Sequence, residues 1–244
     1  MTDILALPMY AVSAGDNDRL WRAVQTLLLE RGLRVSAWNG SDLLAHWQSP
    51  ALLLSQTCGF PLVTQLANVQ TVGCFHYTAP GCEGIHYRSF LVAREADAGK
   101  TLADFRSQRV ACNSADSQSG YNVLRKHIEG QFFSETVFSG SHRHSLIALK
   151  QARADIAAID CVTWALLQRH EPELLNGLSV VGETPLTPGL PLITAADAST
   201  IALLREALHA LVSAPEYRNV CEAMLIDGFS EVSRKSYAVL LQSP

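Results

Sequence analysis

The sequence contains no Cys-x-x-Cys pair; its six cysteines, at 58, 74, 82, 112, 161 and 221, are scattered. That spacing indicates neither a zinc knuckle nor a redox dithiol. Cysteines in apolar contexts such as Val110-Ala111-Cys112 act as small hydrophobes and point to a reducing compartment. No apolar run approaches the ~20 residues needed to cross a bilayer, so no membrane insertion is expected. Basic excess is also missing: the net charge of -4 offers no electrostatic footprint for nucleic acid or an anionic membrane surface. A small anion would then be held by local donors and dipoles. No Ser–His–Asp order, P-loop lysine or metal-ligand cluster is visible, which favours binding over chemistry, with no cofactor, no metal and no catalytic residue expected. Met1-Thr2-Asp3 has no positive segment, and Ile4 to Met9 is too short for a secretion signal. As written the chain reads as cytoplasmic; if a leader was removed, as periplasmic.

What is present is an ordinary globular composition, 48% hydrophobic over 244 residues, enough for one large domain or two lobes. Strands and helices alternate. Strands are expected at Ile4 to Leu7, Val35 to Trp38, Pro50 to Ser55 and Val69 to His76. Helices fall between them: Asp18 to Glu30, a short one capped by Ser41, and one after Cys58-Gly59-Phe60-Pro61. The rhythm restarts after Ala79-Pro80-Gly81-Cys82-Glu83-Gly84, with strands at His86 to Ala93, Arg109 to Cys112, Glu135 to Phe138, Ile156 to Ile159, Leu178 to Val181 and Leu192 to Thr194. The tail reads as helical at Ser199 to Ser213, Glu216 to Met224 and Ser233 to Leu241. Repeated βαβ units predict mostly parallel sheets flanked by helices.

Ligands of such sheets bind beyond the carboxyl ends of the strands. Those positions are Met9 and Tyr10, Gln56 to Gly59, His76 and Tyr77, Asp116 to Gly120, Ser139 to His142, and Asp160. The richest is Asn113-Ser114-Ala115-Asp116-Ser117-Gln118-Ser119-Gly120-Tyr121, a strand exit followed by Tyr121, Leu124 and Ile128 at helical spacing. A helix starting near Ser119 leaves its first N–H groups without intrahelical partners, with partial positive charge there. Ser117 and Ser119 add hydroxyls, and Gly120 allows close approach, a set suited to a phosphate, phosphonate or carboxylate. The plainer alternative makes Ser119 an N-cap and nothing more.

Ser117-Gln118-Ser119-Gly120-Tyr121 resembles the S-x-S-G-Y anion loop of the phosphate, phosphite and phosphonate receptors of ABC importers. Phe138-Ser139-Gly140-Ser141-His142, Ala154 to Asp160, Leu54 to Pro61 and Tyr77 to Cys82 resemble further parts of that family, in a leaderless subgroup. The resemblance implies a type II periplasmic-binding-protein-like α/β fold of two lobes with a ligand cleft between them. Lobe I would comprise 1–85 plus 190–244, and lobe II, with the anion loop, 86–189. It implies that Ser117, Gln118 and Ser119 contact the oxyanion, that His142 sits at the cleft, and that Asp160 accepts a hydrogen bond from the ligand. Tyr10 and Tyr77 match aromatic residues lining the other lobe more weakly. The implied partners are a small oxyanion and an ABC permease.

Beside that resemblance, the residues keep their own readings. His142 shares a helical face with Leu146 and Leu149, either as a core histidine or as a ligand contact. His142 and His144 cannot chelate one metal from a helix. Asp160 is an N-cap, a ligand contact or both; near a dianion it would select a protonated oxyanion or a ligand bearing an amine or hydroxyl. Gln56 and Thr57 are neutral hydrogen-bond donors. The leading function is binding of a small oxyanion with hinge closure, for transport or intracellular sensing. The alternative is a cytosolic enzyme on the same fold, with His142 or His76 as general base.

Overall fold

The computed structural model describes residues 3–128 and 130–242; Met1 and Thr2, which belong to the leader reading, lie outside the described residues. The chain forms two compact units. The first runs to Thr78 and takes in Glu83–His86 and Pro188–Leu241, while the second is chiefly Ala79–Cys82 with Tyr87–Thr187.

The sheet of the first unit has six strands in the order Ile226–Ser230, Gln70–Tyr77, Pro191–Thr194, Leu52–Gln56, Asp3–Ala6, Val35–Ala37. The four strands drawn from the first 77 residues share one direction, and Pro191–Thr194 and Ile226–Ser230 run against them. Leu52, Leu53 and Leu54 are buried, as expected of a strand covered on both faces. Helix Ala14–Glu30 begins four residues before the expected start because Ser13 caps it, its hydroxyl accepting from the Asp16 amide. Leu20, Val24, Leu27 and Leu28 form its buried stripe, and Trp21 Nε1 donates to the Leu5 carbonyl at 2.9 Å, tying helix to sheet.

Strand Ile226–Ser230 has no counterpart among the expected elements. Asp227 and Gly228 disfavour a strand locally, and long-range pairing with Gln70–Tyr77 overrides them. Gly73 permits that pairing: a Cβ there would lie 2.4 Å from the Phe229 ring and from the Ser230 carbonyl oxygen. The tail Arg234–Leu241 is 3₁₀-helical rather than α-helical, with Tyr237 wholly buried. Arg234 donates to the carbonyls of Leu62, Leu66 and Val69, satisfying acceptors at and beyond the end of helix Gly59–Thr64.

In the second unit five strands lie in the order Leu178–Glu183, Ser89–Arg94, Ile156–Asp160, Arg109–Cys112, Glu135–Phe138. Only Ser89–Arg94 opposes the common direction. The single strand expected over His86 to Ala93 is broken at Arg88 into His86–Tyr87 and Ser89–Arg94. Asp155 fixes three strands at once, accepting from the Arg109 amide and guanidinium and from Arg94. Burial alone would raise its pKa, but the bonds from Arg109 and Arg94 outweigh that and bring it down to about 2. Strand Ile156–Asp160, which starts at this clamp, is buried along its whole length and delivers Asp160 at its far end.

Candidate functional site

Strand Arg109–Cys112 leaves the second sheet into a loop of polar side chains. Ser114 Oγ donates to Asp116 Oδ1 at 2.6 Å, and the Ser117 amide donates to the Ser114 carbonyl. The helix starts at Gln118, and its N-cap is Ser117, whose extended backbone (φ -73°, ψ 129°) and Oγ, accepting from the Gly120 amide at 3.0 Å, define the cap. The expected cap at Ser119 is therefore corrected by two residues. The first turn, Gln118–Asn122, is a π-turn, with the Asn122 amide donating to the Ser117 carbonyl at 2.8 Å. It runs into a short α-helix ending at Arg125, so Ile128 lies past the helix although it still packs against the core.

Because Ser117 caps the turn, the Ser119 hydroxyl is available for another partner. It lies 2.8 Å from His142 Nε2, while the Ser119 carbonyl accepts from Ser89 Oγ at 2.8 Å. Gln118 is wholly buried, and its side-chain carbonyl accepts from Asn122 Nδ2 at 2.7 Å. Gly120 is required by its surroundings: a Cβ there would sit 1.9 Å from Asn113 Oδ1. Ser117, Gln118, Ser119 and Gly120 are all buried.

His142 opens helix His142–Lys150, which Ser141 caps, after a turn that places Gly140 at φ +93°. Leu146 and Leu149 on the same face are fully buried, and His142 as a whole residue is half-buried, with its Nδ1 buried. Burial pushes its pKa down to about 4, the Ala158 carbonyl offsetting part of the effect. The imidazole is neutral at pH 7. A group near 4 is poorly matched to general-base work at neutral pH. His76, the other candidate base, belongs to the first unit and meets Ser230 Oγ at 2.8 Å.

This ring has a measurable consequence for stability. Its folded pKa lies below its unfolded value of about 6.5, so the native state binds fewer protons between the two values. Stability is full above about pH 6.5 and falls toward pH 4, by at most about 3 kcal/mol from this group. Urea midpoints for the wild type should drop over that window more than those of His142→Asn. Parallel profiles would contradict the assignment.

Asp160 is buried and caps helix Cys161–His170, its Oδ1 accepting from the Val162 and Thr163 amides at 2.8 and 3.1 Å. It is paired in register with Ser89, whose amide donates to Thr184 Oγ1 at 2.9 Å. Ser89, Asn113 and Thr184 thus join the site's framework without having been singled out from the sequence. Asn113, at the strand exit, was the one with a local signal.

The first unit gathers a second polar set. Gln56 Nε2 donates to the Tyr77 hydroxyl at 3.0 Å, and the Tyr10 and Tyr77 rings meet edge-to-face at 5.1 Å. The Thr57 amide donates to the Pro191 carbonyl at 3.0 Å, and its hydroxyl meets the Cys58 carbonyl at 3.5 Å. Among the described residues no group of three or more His, Cys, Asp or Glu is placed to hold a metal ion, and no helix is long and apolar enough to cross a membrane.

Two α/β units, each a mixed sheet flanked by helices, define a periplasmic-binding-protein-like fold. Residues 41–237 match the family described as "ABC transporter, phosphonate, periplasmic substrate-binding protein", and the chain belongs to it. Comparison with curated proteins gives no match. Among solved structures the chain resembles a binding protein component of an ABC phosphonate transporter from Pseudomonas aeruginosa, at TM-score 0.77 and 17% identity, covering 99% of this chain and 85% of that one. It resembles PhnD1 from Prochlorococcus marinus in complex with methylphosphonate at TM-score 0.79 and 13% identity, over 98% and 95% of the two chains. A Xanthomonas citri protein bound to ATP matches at TM-score 0.73 and 17% identity, also over 98% and 95%. At these identities the likeness is one of fold.

Proposed function

We propose that this chain captures a phosphonate or a related small oxyanion, as the receptor of an ABC importer, with hinge closure on the ligand. The observation that carries the reading is the turn at 117–120. Ser117 caps it, Gly120 leaves room for the Asn113 side chain behind it, and the Ser119 hydroxyl meets a neutral imidazole at 2.8 Å. The first N–H groups of the turn have no preceding helical carbonyl to bond, and the helix end favours negative charge. With the ring proton on Nδ1 toward the Ala158 carbonyl, Nε2 accepts from the Ser119 hydroxyl, and Ser119 Oγ offers its lone pairs to a protonated ligand oxygen. Asp160, already accepting two amides, favours a ligand oxygen that carries a proton, or an amine.

In this proposal Ser117, Gln118, Ser119, Gly120, His142 and Asp160 contact the oxyanion, and Tyr10, Gln56, Thr57 and Tyr77 contact the ligand from the first unit. The lobes proposed are 1–85 with 190–244 and 86–189, whereas the compact units place Ala79–Cys82 with the second. A transport role is proposed over intracellular sensing because the family is described as a transporter component. The partner is then a permease, and the setting periplasmic.

Thermal denaturation with methylphosphonate and with inorganic phosphate tests the reading. A ligand of the native state raises the melting temperature, by the equivalent of about 2.7 kcal/mol at a hundredfold excess over Kd. A rise with one of these anions is expected. Flat curves with both, and a rise with neutral or cationic solutes instead, would overturn the proposal.

A further inference from the structure

Ala79-Pro80-Gly81-Cys82 is a tight turn in the second unit, its Cys82 amide donating to the Ala79 carbonyl at 3.0 Å. Proline at its second position and Gly81 at φ +96° at its third are the residues a type II turn demands. The turn presses against the start of helix Cys161–His170: a Cβ on Gly81 would lie 3.1 Å from Cys161 Cβ and 3.3 Å from its sulfur. That closeness leaves the Cys82 and Cys161 sulfurs 3.5 Å apart. The other four thiols, Cys58, Cys74, Cys112 and Cys221, are buried. Burial pushes Cys74 and Cys112 up to about 12 and Cys221 up to about 11, which keeps them as inert thiols. Cys82 is the one cysteine that is partly exposed.

We propose that Cys82 and Cys161 constitute a thiol–disulfide site, closed by a low-molecular-weight disulfide or a dithiol–disulfide oxidoreductase. The Cys82 thiolate attacks one sulfur of the external disulfide, expelling a thiolate that takes up a proton and leaving a mixed disulfide on Cys82. Cys161, fully buried and within reach, then attacks the Cys82 sulfur and expels the second external thiol. Two protein thiols are oxidised, one external disulfide is reduced to two thiols, and no other reactant is needed. The bond ties the 79–82 segment, where the chain passes between units, to the residue following Asp160. It closes a loop across 79 sequence positions, a span at which a cross-link restricts the unfolded chain strongly.

The test is incubation of the reduced protein with oxidised glutathione, followed by thiol titration under denaturing conditions, peptide mapping without reductant, and melting curves. The wild type should fall from six free thiols to four, yield a cross-linked pair of peptides containing Cys82 and Cys161, and melt several degrees higher until dithiothreitol reverses the change. Cys161→Ser should stop at a glutathione adduct on Cys82, and Cys82→Ser should keep its five thiols. Retention of six thiols by the wild type, or a glutathione adduct on Cys82 that persists as in Cys161→Ser, would overturn the proposal. Thiol counts and peptide masses need no phosphonate, so this outcome is independent of the ligand-binding reading.

Discussion

Gly120→Ala should lose both stability and ligand binding. The added methyl would be placed 1.9 Å from Asn113 Oδ1, 2.9 Å from its Cγ and 3.3 Å from its backbone nitrogen. The Asn113 oxygen is buried, and the turn is held on its other side by the Ser117 cap and the Ser89–Ser119 bond. Either the Asn113 side chain swings away or the whole π-turn shifts. Forcing a group into such a site costs about 1–3 kcal/mol, against which alanine's better helix propensity returns at most about 1. A net loss of about 1–2 kcal/mol in urea denaturation is expected, with methylphosphonate affinity reduced at least about tenfold, because a shift of the turn moves its amides and Ser119. Adding Asn113→Gly should restore much of both. Wild-type affinity in Gly120→Ala would show that the turn does not approach the ligand.

Much of this arrangement was legible because local chemistry and tertiary demand agree. The hydroxyl-rich exit of Arg109–Cys112, followed by apolar residues at helical spacing, marks the loop before any contact is known. The choice of cap was not legible. Ser117 and Ser119 are equivalent as residue types, and the π-turn that selects Ser117 has no signature in a 3.6-residue period. Ser89, Thr184 and the edge strand Ile226–Ser230 were hidden for a different reason. Their roles come from partners 30 to 154 positions away, as in the Ser89–Ser119 and His76–Ser230 bonds. The Cys82–Cys161 approach belongs with them, since spacing rules for cysteine see only neighbours in sequence. Sheet direction was legible in outline; the opposing strands Ser89–Arg94, Pro191–Thr194 and Ile226–Ser230 are returns that the βαβ rhythm does not announce.

The second large effect is expected in Ser117→Ala/Ser119→Ala. Removing Ser117 Oγ leaves the Gly120 amide without its cap acceptor, a change worth about 1 kcal/mol of stability by itself. Removing Ser119 Oγ takes away a hydroxyl from the proposed contact set and strips His142 Nε2 of its partner. Hydrogen bonds to a charged ligand contribute about 1.5–3 kcal/mol each. Loss of the Ser119 contact together with a misplaced turn should weaken binding by a factor of about 100 or more, while each variant is judged against its own ligand-free melting temperature. His142 in the double variant should keep its suppressed pKa, since burial and not Ser119 sets it.

Isothermal titration calorimetry of methylphosphonate into the wild type and into Ser117→Ala/Ser119→Ala, side by side at pH 7, reads the anion turn most directly. The account predicts saturable binding of one ligand per chain in the wild type and a loss of about two orders of magnitude in affinity in the double variant. Equal affinities in the two proteins would place the oxyanion elsewhere and contradict it.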